Sequence, residues 1–408
     1  MSPSFRTLNS LKITGFRYYL GMFLCQMAVH DMRTLAHSLL IYRLTGSVAL
    51  LGALSLANAV PGIILPLFGG VIADRIPKRY VLNIGQAGAA FASLIVAVTL
   101  SLGWLSAERA GSWWIVLAAS FLGTSLGSLT TPASQAVISE LVGKENIMNA
   151  VSLRSAVYNI MRMVAPAFAG VIIDRFDFSL AYYVMCAFSI LAMIFSLFLP
   201  TMAARAAKVR GTFAQLKDGF SYARRETNIL FIIVFILVVA ILVTPYSRLM
   251  PVYVDDILNV GATGYGLLLS VLAIGGIVGS LVVASLPSKR RGVMLLIDVA
   301  VLGLALMAFA FSTNWYFSLA VMVLIGLFLP ARLSLSNSLV QSYTDRSYQG
   351  RMMSLYSLQD GIFSLGGFLA AMAAGVIGTP WTVFSFALVM VLFSLLSLVF
   401  LPRIRKLD

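Results

Sequence analysis

Long, unbroken apolar runs constrain this chain more than any other feature. A helix rises 1.5 Å per residue, so ~20 apolar residues cross the ~30 Å hydrocarbon core of a bilayer. Within lipid, only helices and closed barrels satisfy their own backbone. A membrane barrel would alternate in polarity every second residue, whereas these runs are continuous. They fall near 16–44, 48–73, 79–102, 113–138, 151–173, 180–199, 229–254, 264–286, 293–311, 315–339, 352–376 and 380–401; the first is broken by its charges, so hydropathy alone marks it weakly. The pattern predicts an all-α membrane protein with twelve transmembrane helices. Composition agrees: 60% of the residues are hydrophobic and 11% are charged, against about 25% charged in a soluble domain.

Charge placement gives the orientation. Arg6, Lys12, Arg17, Arg75, Lys78, Arg79, Lys144 and Arg205 through Arg225 fall in the N-terminal tail and the loops after even-numbered spans, as do Lys289, Arg290, Arg291, Arg346 and Arg351. The C-terminal tail adds Arg403, Arg405 and Lys406. The opposite side holds only Arg43, Arg109 and Arg175. The excess of Lys and Arg on one side places both termini in the cytoplasm. The net charge of +14 is then mainly a topology signal, with attraction to membrane lipids as a by-product. Its scatter over short loops argues against nucleic-acid binding. Cys25 and Cys186 fall inside spans and read as small packing residues, not as a disulfide or metal framework. The N-terminus shows no secretory cleavage pattern. No G-x-x-x-x-G-K-[ST] is present, which argues against intrinsic ATP-driven pumping. Neither an enzymatic activity, nor a metal, nor a cofactor is expected, and the chain is read as a monomer.

The longest polar stretch, 200–228, divides six spans from six, giving an N-terminal bundle (1–199), a cytoplasmic linker and a C-terminal bundle (229–408). Within the linker, Thr212 to Arg225 reads as a short surface helix. The halves resemble each other. Pro132-Ala133 and Pro330-Ala331 precede Ser-Leu-x-Ser at 152–155 and 354–357, and "ADRIPKR" matches "ASLPSKRR" loosely. Duplicated six-helix halves commonly hold a substrate site at their interface near the midplane.

The loop after span two reads "GGVIADRIPKR". Gly70, Asp74, Arg75, Lys78 and Arg79 fit the G-x-x-x-D-R-x-G-R-R signature of the major facilitator superfamily, with Pro77 where the family usually has Gly. An ordinary positive loop would explain the basic residues alone, but not a Gly four residues before an Asp at the end of a span. The stretches "RLTGSVALLGALSLANAVPGIILPLFGGVIADR", "PASQAVISELVGKENIMNAVSLRSAVYNIMRMVAPAFAGVIID" and "GRMMSLYSL" resemble the drug-and-siderophore efflux branch of that superfamily, the branch of the macrolide and enterobactin exporters. Together they cover most of the chain. The resemblance implies alternating access between two pseudo-symmetric six-helix bundles, a gating role for the 70–79 loop, and proton-coupled export of an amphipathic organic molecule across a prokaryotic cell (inner) membrane. "MVAPAFAG" in span five is a degenerate form of the family's antiporter motif G-P-x-x-G-G: Pro166 and Gly170 match, while Ala165 and Ala169 replace glycines.

Span one carries an anomaly, "MAVHDMRTLAH", with His30, Asp31, Arg33 and His37 within eight residues. Further charges fall inside spans at Arg154, Arg162, Arg248, Asp298, Arg332 and Asp360. Each is expensive in lipid and should face the bundle interior or a wet cavity, as a functional group or as part of a structural pair. At 100° per residue, Gln26, His30, Arg33 and His37 form one stripe with Thr34 beside it, and Asp31 stands off that stripe. Asp31 and Arg33 do not face each other. In the family's packing, helices one and five are neighbours, which makes Arg162 the candidate partner of Asp31. Burial favours the protonated carboxyl group and a nearby Arg favours the ionised one. A carboxyl balanced between the two can load a proton on one side and release it on the other. The expectation is an Asp31–Arg162 pair within salt-bridge reach that couples proton entry to transport. The substrate cavity, lined by spans one, four, seven and ten as the resemblance implies, draws candidates from Gln26, His30, Arg33, Thr34, His37, Asn58, Thr131, Gln135, Asn159, Tyr246, Arg332, Asn337 and Gln341. Two other functions fit less well. Export of a divalent metal would use His30, Asp31 and His37, but the histidines stand ~10 Å apart along the helix, with the cation Arg33 between them. A lipid or lysolipid translocator, or a non-transporting sensor, is the third reading.

Overall fold

The computed structural model describes residues 6–200, 212–285, 289–346 and 348–400; for 6–8, 66–75, 144, 212–217 and 360 it describes the backbone alone. Among the described residues every regular element is helical. After a 3₁₀ segment, Arg6–Lys12, come α1 (Thr14–Thr45), α2 (Val48–Arg75) and α3 (Lys78–Ser101). Next are α4 (Trp114–Gly143) and α5 (Glu145–Arg175), then α6 (Phe178–Leu197) and the short α7 (Thr212–Arg225). The rest are α8 (Thr227–Ile257), α9 (Gly261–Ser285), α10 (Arg291–Ala310), α11 (Trp315–Tyr343), α12 (Gln349–Ile377) and α13 (Thr379–Phe400). Eleven helices among the described residues are long and apolar enough to cross a membrane. α1, with 32 residues, is long enough, but its polar stripe keeps it out of that group. Large apolar side chains such as Ile84, Leu281, Val376 and Val399 are exposed along these helices, a surface suited to hydrocarbon and not to water.

Two details depart from the sequence reading. Spans four and five are not separated by a loop over 139–150. Helical hydrogen bonding runs through the junction, and the chain turns at Gly143 (φ 66°, ψ 161°) alone, a conformation open to a residue without Cβ. Span seven is broken near its end: Pro245 and Pro251 interrupt it, and a turn of π-helix, Tyr253–Ile257, closes it, because proline removes a helical donor and crowds the preceding turn.

The chain divides by packing into two units. The first combines Met1–Thr45 with Val60–Val209, and the second combines Gly46–Ala59 with Arg210–Asp408. The start of α2 thus groups with the second unit, across Gly46, which has φ +61°. In the first unit, Phe16, Tyr19, Met22 and Phe23 of α1 pack on Leu82 of α3 and on Ala133, Val137 and Ile138 of α4. Ser10 ties the N-terminal segment to this core, its N–H donating to Asn149 Oδ1 at 3.0 Å. In the second unit, α9 and α11 meet backbone to backbone. A Cβ at Gly275, Gly279 or Gly326 would collide with main-chain atoms of the facing helix. Lipid offers helices no hydrophobic reason to associate, so such close approach supplies the contact energy. α7 has the ends expected from the sequence. It docks within the second unit through the Tyr222–Tyr348 ring stack at 4.1 Å, the Arg351–Asp218 ion pair at 3.9 Å and Tyr222 Oη, which accepts from Asp345 N at 3.2 Å.

Candidate functional site

The stripe on α1 comes apart into three environments, each set by a neighbouring helix. Arg33 lies against α4 at Gly123, where a Cβ would overlap the guanidinium; the missing side chain makes the room. His37 is buried and stacks on Tyr182 of α6, with ring centroids 5.6 Å apart. Arg33 is close enough to act electrostatically on both His37 and Tyr182. His30 and Thr34 remain exposed, and Thr34 Oγ1 donates to His30 O of its own helix at 2.9 Å. The face therefore opens at its His30–Thr34 step and is sealed at His37.

Asp31, half-buried, points another way. Its Oδ2 is buried with no hydrogen-bond partner among the described residues, as is Gln26 Oε1 five residues before it. The charge that reaches Asp31 is that of Arg162 on α5, which also acts on His30. Arg162 is exposed, and its Nη1 donates to Tyr158 Oη at 3.4 Å. Helices one and five are thus brought together, with the acid of one in electrostatic range of the cation of the other. Nearby, the Arg154 guanidinium sits 4.4 Å from the centroid of Phe23, a cation–π contact inside the core of the first unit.

The second unit holds a more enclosed acid–arginine grouping. Asp298 of α10 is 7% exposed and Arg332 of α11 is 4% exposed, and the Arg332 charge acts on Asp298. Asp298 Oδ2 is also buried without a hydrogen-bond partner among the described residues. Arg248 lies 5.4 Å from the Phe363 centroid, and its Cγ closes on Gly367, as does Ser55 from the start of α2.

The remaining sequence candidates spread over both units. Thr131, Gln135 and Asn159 are exposed in the first, and Asn58 is half-buried in the second. Tyr246 is 3% exposed, so packing encloses it, along with His37 and Arg332, where the sequence suggested open lining. Asn337 and Gln341 lie along a cavity of about 640 Å³ between α11 and α12. Of the loop motif, Gly70, Asp74 and Arg75 have side chains outside the described residues, as does Asp360. Arg79 is described, and Lys78 opens α3, buried, with Nζ 2.5 Å from Glu140 Oε1 of α4. The sequence reading missed Glu140, Tyr182, Gly123 and Gln359. For Gln359 a signal was present: an amide inside span eleven, beside an acid.

A helical bundle with lipid-suited outer faces, and with ionisable side chains gathered inside its helices, defines a multi-pass membrane protein. The chain belongs to the Major Facilitator Superfamily, whose profile matches residues 16–361 and 249–408. It is a membrane transporter and not an enzyme. The staphyloferrin A transporter of Staphylococcus aureus (strain NCTC 8325 / PS 47) is 25% identical over 330 residues, covering 80% of this chain and 81% of that protein. The enterobactin exporter EntS of Salmonella typhi is 26% identical over 351 residues, covering 83% and 81%. Solved structures share the fold at low identity. The nucleoside transporter NupG gives a TM-score of 0.77 at 13% identity, covering 96% of this chain and 99% of that one. A POT family transporter in complex with 5-aminolevulinic acid gives 0.76 at 11% identity, covering 96% and 97%.

Proposed function

We propose that the chain is a proton-coupled exporter of amphipathic organic small molecules. It would work by alternating access in a bacterial inner membrane, with twelve spans, α1 among them, and both termini cytoplasmic. The observation that carries the coupling is Asp31: a half-buried carboxylate with one orphaned oxygen, in electrostatic range of Arg162 on a second helix. A buried acceptor without a donor is costly, and protonation relieves that cost. Protonation of Asp31 also releases the Arg162 guanidinium from that carboxylate, which biases the equilibrium between the two access states. Release of the proton on the cytoplasmic side restores the pair. His30, Thr34, Gln135 and Asn159, exposed in the first unit, and Asn337 and Gln341 in the second are the side chains assigned to the substrate. The 70–79 loop is assigned to gating, with Lys78 held by Glu140.

Two of the relatives are named for transport of staphyloferrin A and of enterobactin, which supports an organic substrate and, for the second, export. The metal alternative gains nothing from the geometry: the His37 ring is enclosed against Tyr182, which removes it from a joint metal site with His30. The test is cellular. Expression should lower the accumulation of a fluorescent dye such as ethidium, and a protonophore should abolish the effect. Lowered accumulation that survives the protonophore would rule out proton coupling.

A further inference from the structure

The cavity between α11 and α12 is built for a particular chemistry. Its volume, about 640 Å³, is in the range of small-molecule sites. α11 contributes Ser334, Ser338 and Ser342, spaced by four, with Asn337 and Gln341 beside them, one face of one helix. α12 contributes Tyr356 and Gln359. Apart from Leu333, every lining side chain is neutral and hydrogen-bonding.

Part of this hydrogen-bonding capacity is used inside the protein. Tyr356 Oη donates to Leu333 O at 3.1 Å. Gln341 Nε2 donates to Asn337 Oδ1, and Arg291 donates to Ser338 Oγ. The Arg291 charge therefore reaches the edge of the cavity through a hydroxyl. Since the Ser338 oxygen is already accepting from a cation, its own O–H is a strengthened donor. Gln359 differs. It is 6% exposed, and its Oε1 is buried with no hydrogen-bond partner among the described residues. A buried acceptor of this kind calls for an incoming donor.

We propose that this cavity holds an uncharged amide or hydroxyl group of the transported molecule. Gln359 Oε1 accepts the ligand's N–H or O–H, and serine hydroxyls of α11 donate to its oxygen. A carboxylate is disfavoured at Gln359, because it has no hydrogen to give Oε1 and its negative oxygens would face that acceptor. The assignment rests on the reading of the chain as a transporter of organic molecules, and it narrows the substrate class from amphipathic to amide- or hydroxyl-bearing.

The experiment is equilibrium binding to the purified full chain in nanodiscs, at fixed pH and with no gradient. The probes are 3-phenylpropanamide and its carboxylate counterpart 3-phenylpropanoate. The wild type should bind the amide roughly tenfold more tightly than the acid, and Gln359→Leu should weaken the amide roughly tenfold while leaving the acid unchanged. Equal or tighter binding of the acid overturns the assignment. So does an unchanged amide affinity in Gln359→Leu, or no saturable binding of the amide to the wild type. Should Gln359→Leu fail to fold, Ser342→Cys reads the same site: saturating amide should slow its labelling by N-ethylmaleimide, and an unchanged rate overturns the proposal. Because no gradient is used, amide preference without proton-driven transport would sink the coupling alone, and coupling without amide preference would sink this site alone.

Discussion

Each unit places a carboxylate near an arginine, and the two placements differ in access. Asp31 is half-buried and its arginine, Arg162, is exposed. Asp298 and Arg332 are both enclosed, at 7% and 4% exposure. A proton carrier must meet water during its cycle, whereas a structural charge pair is best kept from it. Where two charges are sealed together, removing one leaves the other buried and uncompensated, which is costlier than the pair itself is favourable. Where the arginine is open to water, screening keeps its structural contribution small. The same two residue types therefore suit transport in one unit and cohesion in the other.

Substitutions can break that contrast. Arg332→Ala should be the most damaging, costing about 2–5 kcal/mol because it deletes a large enclosed side chain; a large fall in the melting temperature of the purified protein would register it. Removing both charges, as Asp298→Asn with Arg332→Met, should recover much of that loss, since apolar replacement of a buried pair is often neutral. If the double variant is no more stable than Arg332→Ala, the second grouping is not a structural pair. Arg162→Ala should shift stability by less than about 1 kcal/mol while changing the pH dependence of transport; a stability loss as large as that of Arg332→Ala would erase the distinction between the units. The smallest effect is expected for His37→Phe. Its ring stacks on Tyr182, and an aromatic of similar shape keeps the contact, so gradient-driven transport should persist within about twofold, given that volume-conserving swaps cost little. Loss of transport there would make His37 a titrating participant.

The fold was legible wherever lipid dictates it. Eleven helices announce themselves because hydrocarbon demands continuous apolar surface, and α1 is masked from hydropathy by the charges of its polar stripe. The run from α4 into α5 was not legible, because it depends on Gly143 adopting positive φ and leaving no room for a loop. The grouping of Gly46–Ala59 with the second unit depends on contacts such as Ser55 with Gly367, which no local pattern encodes. The stripe on α1 was readable as geometry, but its division was not. Gly123 on α4 makes space for Arg33, and Tyr182 on α6 covers His37, and both lie far from residues 30–37 in sequence. The serines of α11 at every fourth position were available as a signal; the orphaned oxygen of Gln359 was not, since satisfaction of a hydrogen bond is a property of neighbours.

The central claim is that the half-buried carboxylate beside an exposed arginine, and not the enclosed one, carries the proton. It is tested most directly by transport of a dye substrate into proteoliposomes driven by an imposed pH gradient, comparing Asp31→Asn with Asp298→Asn in protein of equal monodispersity. Loss of gradient-driven transport in Asp31→Asn, with its retention in Asp298→Asn, is the expected result. Undiminished gradient-driven transport by Asp31→Asn would contradict it.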